Sequence, residues 1–197
     1  MRVGKRGDGL DTDVIIVSRV RSGDIDSFET LVAAYQNKIF SFIYRMVMSV
    51  EDARDLTQEV FLQAFRSLET FRGNAKFSTW LYRIAANKTL DFLRKNKSAG
   101  RLESIDVLGE NVARAELPNN TPENIVLREE KIRKLRRLIS GLPDKYRMTL
   151  VLFHYENLTY QQISDTLELP VKTVATRLYR AKLILRESLG GENDGLP

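Results

Sequence analysis

Apolar residues recur at three- and four-residue steps through most of this chain, and no alternation of apolar and polar residues runs long enough to build a sheet. That periodicity restricts the fold to packed helices. A short helix is expected over residues 12–22, closed by Gly23. Asp24 can cap a long helix that carries Phe28, Leu31, Val32, Tyr35, Ile39, Phe42, Ile43 and Met46. Ser49 with Asp52 opens a third helix, with Leu56, Val60, Phe61, Ala64, Phe65 and Leu68 on one side. After a turn at Arg72-Gly73-Asn74, a fourth helix is expected over 78–97, burying Leu81, Ile84, Ala85 and Leu90.

The pattern then fails. Residues 98–121 lose their periodicity, turn acidic and end in Pro118-Asn119-Asn120-Thr121-Pro122, as a flexible linker would. Helical periodicity resumes at Pro122 and runs to Gly141, restarts after Leu142-Pro143, and restarts again at a capping box of Thr159 and Gln162. A last helix follows Pro170 and reaches about Leu189. The expected fold is all-α, with a helical domain at 12–97, the linker at 98–121, a second helical domain at 122–189, and disordered ends at 1–11 and 190–197. A 24-residue linker reaches about 80 Å fully extended and averages about 25 to 30 Å when flexible. Two elements spaced by two turns of DNA, about 70 Å apart, lie within that reach.

Composition narrows function. The 197 residues include no Cys and one His, His154, so thiolate chemistry, disulfides and a multi-histidine metal site are unavailable. No Gly-rich phosphate loop or nucleophile pattern is present, so no enzyme, metal or cofactor is expected. No signal peptide or membrane-spanning run is evident, which implies a soluble cytoplasmic protein. The net charge of +5 is unevenly spread: +4 over residues 1–98, −4 over 99–130 and +5 over 131–197. Two basic blocks flanking an acidic strip fit nucleic-acid binding, and equally fit two solvated helix faces.

Near the C-terminus, a short helix and a longer basic one separated by Glu168-Leu169-Pro170 have the spacing of a helix-turn-helix. Ile163, Leu167, Val174 and Leu178 are placed to pack the pair together. Lys172, Thr173, Thr176, Arg177, Tyr179 and Arg180 then become candidates for duplex contact, although Tyr179 could equally be a core aromatic. Five cations and no carboxylate lie between Val171 and Arg186, which suits phosphate contact. An ordinary helix pair with a solvated basic side is the plainer reading.

In the N-terminal block, residues 70–98 hold seven cations and one acid among aromatic side chains. Single-stranded nucleic acid calls for this mixture, because unstacked bases need ring faces and the backbone needs neutralisation. The candidates are Phe71, Arg72, Asn74, Lys76, Phe77, Trp80, Arg83, Asn87, Lys88 and Asp91, with core packing as the competing role for the aromatics. The preceding helix presents Asp52, Asp55, Gln58 and Glu59 around Leu56 and Leu62. That surface is unsuited to DNA and better suited to a protein partner.

These residues resemble a known family. Asp55-Leu56-Thr57-Gln58-Glu59-Val60-Phe61, Phe71-Arg72-Gly73, Phe77-Ser78-Thr79-Trp80-Leu81-Tyr82-Arg83-Ile84-Ala85, Asn87, Leu142-Pro143, Leu158-Thr159-Tyr160, Ile163 and Pro170-Val171-Lys172-Thr173-Val174 are similar to the extracytoplasmic-function sigma factors of bacterial RNA polymerase. The resemblance covers roughly residues 14–97 and 122–188. It implies a region-2 bundle and a region-4 helix-turn-helix that act in transcription initiation. Asp52, Asp55, Leu56, Gln58, Glu59 and Leu62 would dock on core polymerase. The turn at Gly73 and the following helix would recognise and melt the minus-10 element, and the helix after Pro170 would read the minus-35 duplex. An anti-sigma factor is a further implied partner. Trp80-Leu81 stands where housekeeping relatives carry a Trp pair, and Asp91 and Ala175 also depart from better-known members, which implies an altered promoter preference. The competing function is a free-standing helix-turn-helix regulator whose N-terminal bundle dimerises or senses a ligand.

Overall fold

The computed structural model describes residues 8–98 and 122–190, and every regular element among them is helical. The first half contains α1 (Asp8–Arg21), α2 (Ser27–Val47), α3 (Val50–Arg66), a 3-10 turn at Leu68–Thr70 and α4 (Phe77–Ser98). The second contains α5 (Pro122–Ser140), α6 (Asp144–His154), α7 (Tyr160–Leu167) and α8 (Val171–Gly190). The linker expected at 98–121 lies outside the described residues, except for Ser98, which ends α4. The same holds for residues 1–7 and 191–197 of the expected disordered ends. Residues 8–11, expected to be disordered, instead form the first turn of α1.

Local signals in the sequence explain several helix starts. Asp24 accepts hydrogen bonds from the Ser27 backbone N–H at 3.3 Å and the Ser27 hydroxyl at 2.6 Å, holding the entrance to α2. The Ser49 hydroxyl oxygen accepts from Asp52 N–H at 3.2 Å at the start of α3. At α7 the capping box is complete: the Gln162 N–H donates to Thr159 Oγ1 at 3.2 Å, and the Thr159 N–H donates to Gln162 Oε1 at 2.9 Å. Each such cap satisfies backbone donors that the first helical turn leaves unpaired, worth about 1 kcal/mol.

The periodic stripes meet as expected within each half. Leu31, Ile39, Phe42, Ile43 and Met46 of α2 are essentially inaccessible and pack with Val60, Ala64, Leu81 and Ala85. Ile163, Val174 and Leu178 are likewise buried and join α7 to α8. The halves are not separate bodies in this arrangement. Met148, Val151, Leu152, Leu158 and Ile163 belong to the same apolar cluster as the α2 and α4 stripes, with α7 against α4 and α6 against α2. A smaller cluster of Ile139, Leu142, Tyr146, Leu150 and Ala181 holds α5 and α6 onto α8.

Candidate nucleic-acid interfaces

The turn between Leu68 and Phe77 is tied down from an unexpected direction. Arg21, at the end of α1, donates through Nη2 to the Leu68 carbonyl at 2.6 Å and the Phe71 carbonyl at 2.5 Å. Gly73 then takes φ +72, a left-handed conformation that favours glycine, and swings Arg72, Asn74 and Lys76 into solvent. Periodicity could not single out Arg21, because a cation in a last helical turn is equally at home as a dipole partner.

Beside this turn lies an open cleft of about 200 Å³, lined by Arg72, Gly73, Asn74, Trp80, Arg83 and Asp165 among others. Its aromatic support corrects part of the sequence reading. Phe71 and Phe77 are 4% and 1% exposed, so their rings present no face on which a base can stack. Phe71, Phe77 and Trp80 instead form a triangle with centroids 5.5 to 5.6 Å apart, and Tyr35 packs on Phe77 at 5.6 Å. Trp80 is the partly exposed corner of that triangle, held in place by the two buried rings. The aromatic spacing that looked like a stacking platform is mostly the platform's foundation.

Along α4, Arg83, Asn87 and Asp91 follow one another at four-residue steps on the exposed side. Four of the five cations on α4 already have partners. Arg83 pairs with Glu168, Lys88 with Glu59 at 2.9 Å, Arg94 with Asp91 at 2.6 Å and Lys97 with Asp144 at 2.6 Å. Glu168 and Asp144 come from the C-terminal half. Tyr82 of α4 is buried, and its hydroxyl donates to Glu156 Oε2 at 2.5 Å. The other Glu156 oxygen lies 3.6 Å from Arg45, whose guanidinium sits over the Tyr155 ring at 4.4 Å. Burial pushes the Tyr82 phenol well up, with the nearby Glu156 charge acting in the same direction. Burial also raises the Glu156 carboxyl, against the Tyr82 hydrogen bond and the charges of Arg45 and Lys38.

On α3, Asp55, Gln58, Glu59 and Leu62 are exposed, Leu62 by 56%, and Asp52 is partly so. Leu56 is not on that surface. It is 4% exposed and belongs to the core, because it shares the stripe of Ala53 and Val60 rather than that of Asp55 and Leu62. The remaining five residues form a surface that is acidic and polar, with one large apolar side chain.

The helix-turn-helix has the expected geometry. Glu168 turns the chain after α7 in a left-handed conformation, φ +52, and its N–H reaches the Ser164 carbonyl. Val174 and Leu178 face inward, while Lys172, Thr176, Tyr179 and Arg180 are exposed and Thr173 and Arg177 partly so. Tyr179, left open between core and contact, is 69% exposed. Arg180 donates to the Tyr146 hydroxyl at 3.3 Å, while Lys172, Arg177 and Lys182 make no ion pair with another described residue. No group of three or more His, Cys, Asp or Glu suited to a metal ion occurs among the described residues, and none of their helices is long and apolar enough to cross a membrane.

Comparison with known proteins places both halves. Residues 31–99 match the family described as Sigma-70 region 2, and residues 132–185 match Sigma-70, region 4. The chain is 37% identical over 180 residues to the ECF RNA polymerase sigma factor SigW of Bacillus subtilis (strain 168), covering 88% of this chain and 94% of that protein. It is 38% identical over 176 residues to the ECF RNA polymerase sigma-E factor of Escherichia coli (strain K12), covering 87% and 91%. Among solved structures, CnrH in complex with the cytosolic domain of CnrY is similar in fold, with a TM-score of 0.66 at 22% identity over 91% of this chain and 97% of that one. The sigma factor RpoE in complex with the anti-sigma factor NepR from Bartonella quintana gives a TM-score of 0.61 at 18% identity, over 84% and 98%.

Proposed function

The chain belongs to the extracytoplasmic-function sigma factors of RNA polymerase, and on that premise we propose how its surfaces divide the work of promoter recognition. It is an alternative sigma factor that directs RNA polymerase to promoters. The exposed α3 surface of Asp52, Asp55, Gln58, Glu59 and Leu62 docks on core polymerase, with Leu62 as its apolar anchor. The Gly73 turn and the outer face of α4 take the minus-10 element. Arg72, Lys76 and Arg83 neutralise the backbone there, Trp80 stacks on an unpaired base, and Asn74 and Asn87 reach base edges, offsetting the loss of stacking in the duplex. Phe71 and Phe77 contribute by fixing Trp80. The exposed face of α8 enters the major groove of the minus-35 element, its first turn towards the bases and Arg177 and Arg180 towards phosphates.

The observation that carries this division is the placement of Trp80, Arg72, Asn74 and Arg83 around one open cleft, on the same chain as an exposed basic helix-turn-helix face. The factor works in the cytoplasm beside polymerase, by recognition rather than by catalysis. The sigma factor RpoE, of similar fold, was solved with the anti-sigma factor NepR, and an anti-sigma protein is the proposed regulator here as well. Transcription in vitro with core polymerase over a randomised promoter library tests the reading. The expected outcome is enrichment of a two-part promoter only when this chain is present. Symmetric half-site binding by the isolated chain, without such enrichment, would instead establish a free-standing regulator.

A further inference from the structure

Arg21 lies outside the residues that match either family region, 31–99 and 132–185, yet it holds the backbone from which the Gly73 turn departs. Ile16, Val17 and Val20 seat the apolar face of α1 in the shared cluster, which brings the last residue of that helix against the 3-10 turn at Leu68–Thr70. One nitrogen, Arg21 Nη2, donates both to the Leu68 carbonyl at 2.6 Å and to the Phe71 carbonyl at 2.5 Å. The Leu68 carbonyl also accepts the Phe71 N–H at 3.1 Å, closing the 3-10 turn. At the far end of the Gly73 turn, the Trp80 N–H donates to the Lys76 carbonyl at 3.2 Å. The backbone between these two anchors carries Arg72 and Asn74, with Gly73 at φ +72 between them. We propose that Arg21 is a positioning residue for minus-10 recognition: by holding the Phe71 carbonyl it sets the course of the Gly73 turn and the seat of the Phe71 ring beside Trp80.

Packing does not arrange this turn, because Arg72, Gly73, Asn74, Ala75 and Lys76 are all exposed. Its geometry therefore depends on how its ends are held. The charge of Arg21 contributes little to that hold: Glu69 lies 3.7 Å from Nε but its side chain is 79% exposed, so solvent screens the pair. The reach and shape of the guanidinium decide instead. A lysine Nζ stands one bond nearer to Cα than an arginine Nη, and its ammonium lacks the planar fork. Without Arg21 the Phe71 carbonyl loses its donor, and the turn is free to sample other arrangements. A reading surface that is correctly arranged for only a fraction of the time binds more weakly by that fraction, whereas a preorganised one avoids the loss. The proposal rests on the minus-10 reading of the turn and adds to it the residue that sets the turn's geometry.

Transcription by holoenzyme over a library randomised at the minus-10 element tests the role. Arg21→Lys keeps the charge and should lower enrichment of the preferred minus-10 sequence, by about tenfold if the turn is then correctly arranged a tenth of the time, with the minus-35 preference retained. Arg21→Gln should match it, because the fork matters and the charge does not. Trp80 is the one tryptophan of the chain, so its fluorescence reports the seat directly. Acrylamide should quench it more in both Arg21 variants than in the parent chain, at a temperature where all are fully folded. Glu69→Gln should change neither reading. Val20→Ala opens the core one residue away without touching the two carbonyls, and should lower Tm while leaving the minus-10 preference intact. Parent-like selection by Arg21→Lys, or an equal loss of selection in Val20→Ala, overturns the positioning role. So does a salt slope of promoter binding lowered by about 0.7 to 0.9 in Arg21→Gln, which would make Arg21 a phosphate contact. Asn74→Ala separates the failures: if it leaves the minus-10 preference unchanged, the minus-10 reading of the turn falls and this role with it, whereas a clear Asn74→Ala effect beside parent-like Arg21 variants overturns the positioning role alone.

Discussion

The two basic helices, α4 and α8, carry similar charge and are treated oppositely by the fold. On α4, Arg83, Lys88, Arg94 and Lys97 are each paired with a carboxylate, two of them from the other half of the chain. On α8, Lys172, Arg177 and Lys182 pair with no described residue, and Tyr179 stands 69% exposed. A count of charges would rank the two helices as equal partners for DNA. The fold leaves the α8 cations displayed and neutralises most of those on α4. Exposed ion pairs of this kind are individually worth about 0 to 1 kcal/mol, so the pairing on α4 is weak enough for a polyanion to displace.

The comparison can be broken most severely at its foundation. Phe77→Ala should destabilise the chain by about 3 to 5 kcal/mol, as loss of a fully buried ring does, and thermal unfolding would register it. A variant of unchanged stability but impaired strand binding would return Phe77 to the contact surface. Trp80→Ala should do the reverse: open-complex formation should weaken by about 1 to 3 kcal/mol, the value of one base stacked on an aromatic, with a smaller change in stability. Permanganate footprinting of holoenzyme on a selected promoter measures it.

On the displayed side, Arg177→Ala should lower the salt slope of duplex binding by about 1 and leave the separation of the halves unaltered. An unchanged slope removes Arg177 from the phosphate contacts. The smallest effect concerns the grip between the halves. Burial raises the Glu156 carboxyl above its ordinary value although Tyr82 from α4 and Arg45 and Lys38 from α2 face it, so the closed arrangement favours the protonated acid. Its contribution to closure is therefore fully present below the ordinary carboxylate value and is lost as pH rises through the raised one. Energy transfer between dyes placed one on each half should fall slightly over that interval, and Glu156→Gln should flatten the profile. An identical pH slope in both proteins would remove Glu156 from the grip.

Legibility differed between the site's parts. The α7 to α8 packing was readable because Ile163, Val174 and Leu178 lie within one local motif whose break and spacing set their geometry. The α3 surface was readable apart from Leu56, where a core stripe and an exposed stripe run side by side on one helix, and only the neighbouring helices select which leucine is covered. The aromatic cluster was misread in part for a similar reason. Phe71 and Phe77 are suited both to stacking bases and to filling a core, and burial against Tyr35 and the shared apolar cluster decides between the two.

The amino-acid sequence by itself determined the helices, several of their caps and the family, because each of these rests on short-range spacing or on motifs a few residues long. Only the tertiary structure decided that Arg21 holds the Gly73 turn, that Glu156 is gripped by Tyr82 and Arg45, and that Glu168 reaches Arg83. Those contacts join residues far apart in the chain. Helical periodicity specifies which face of each helix is apolar but carries no information about which other helix will cover it, or which charges will then meet at the edges.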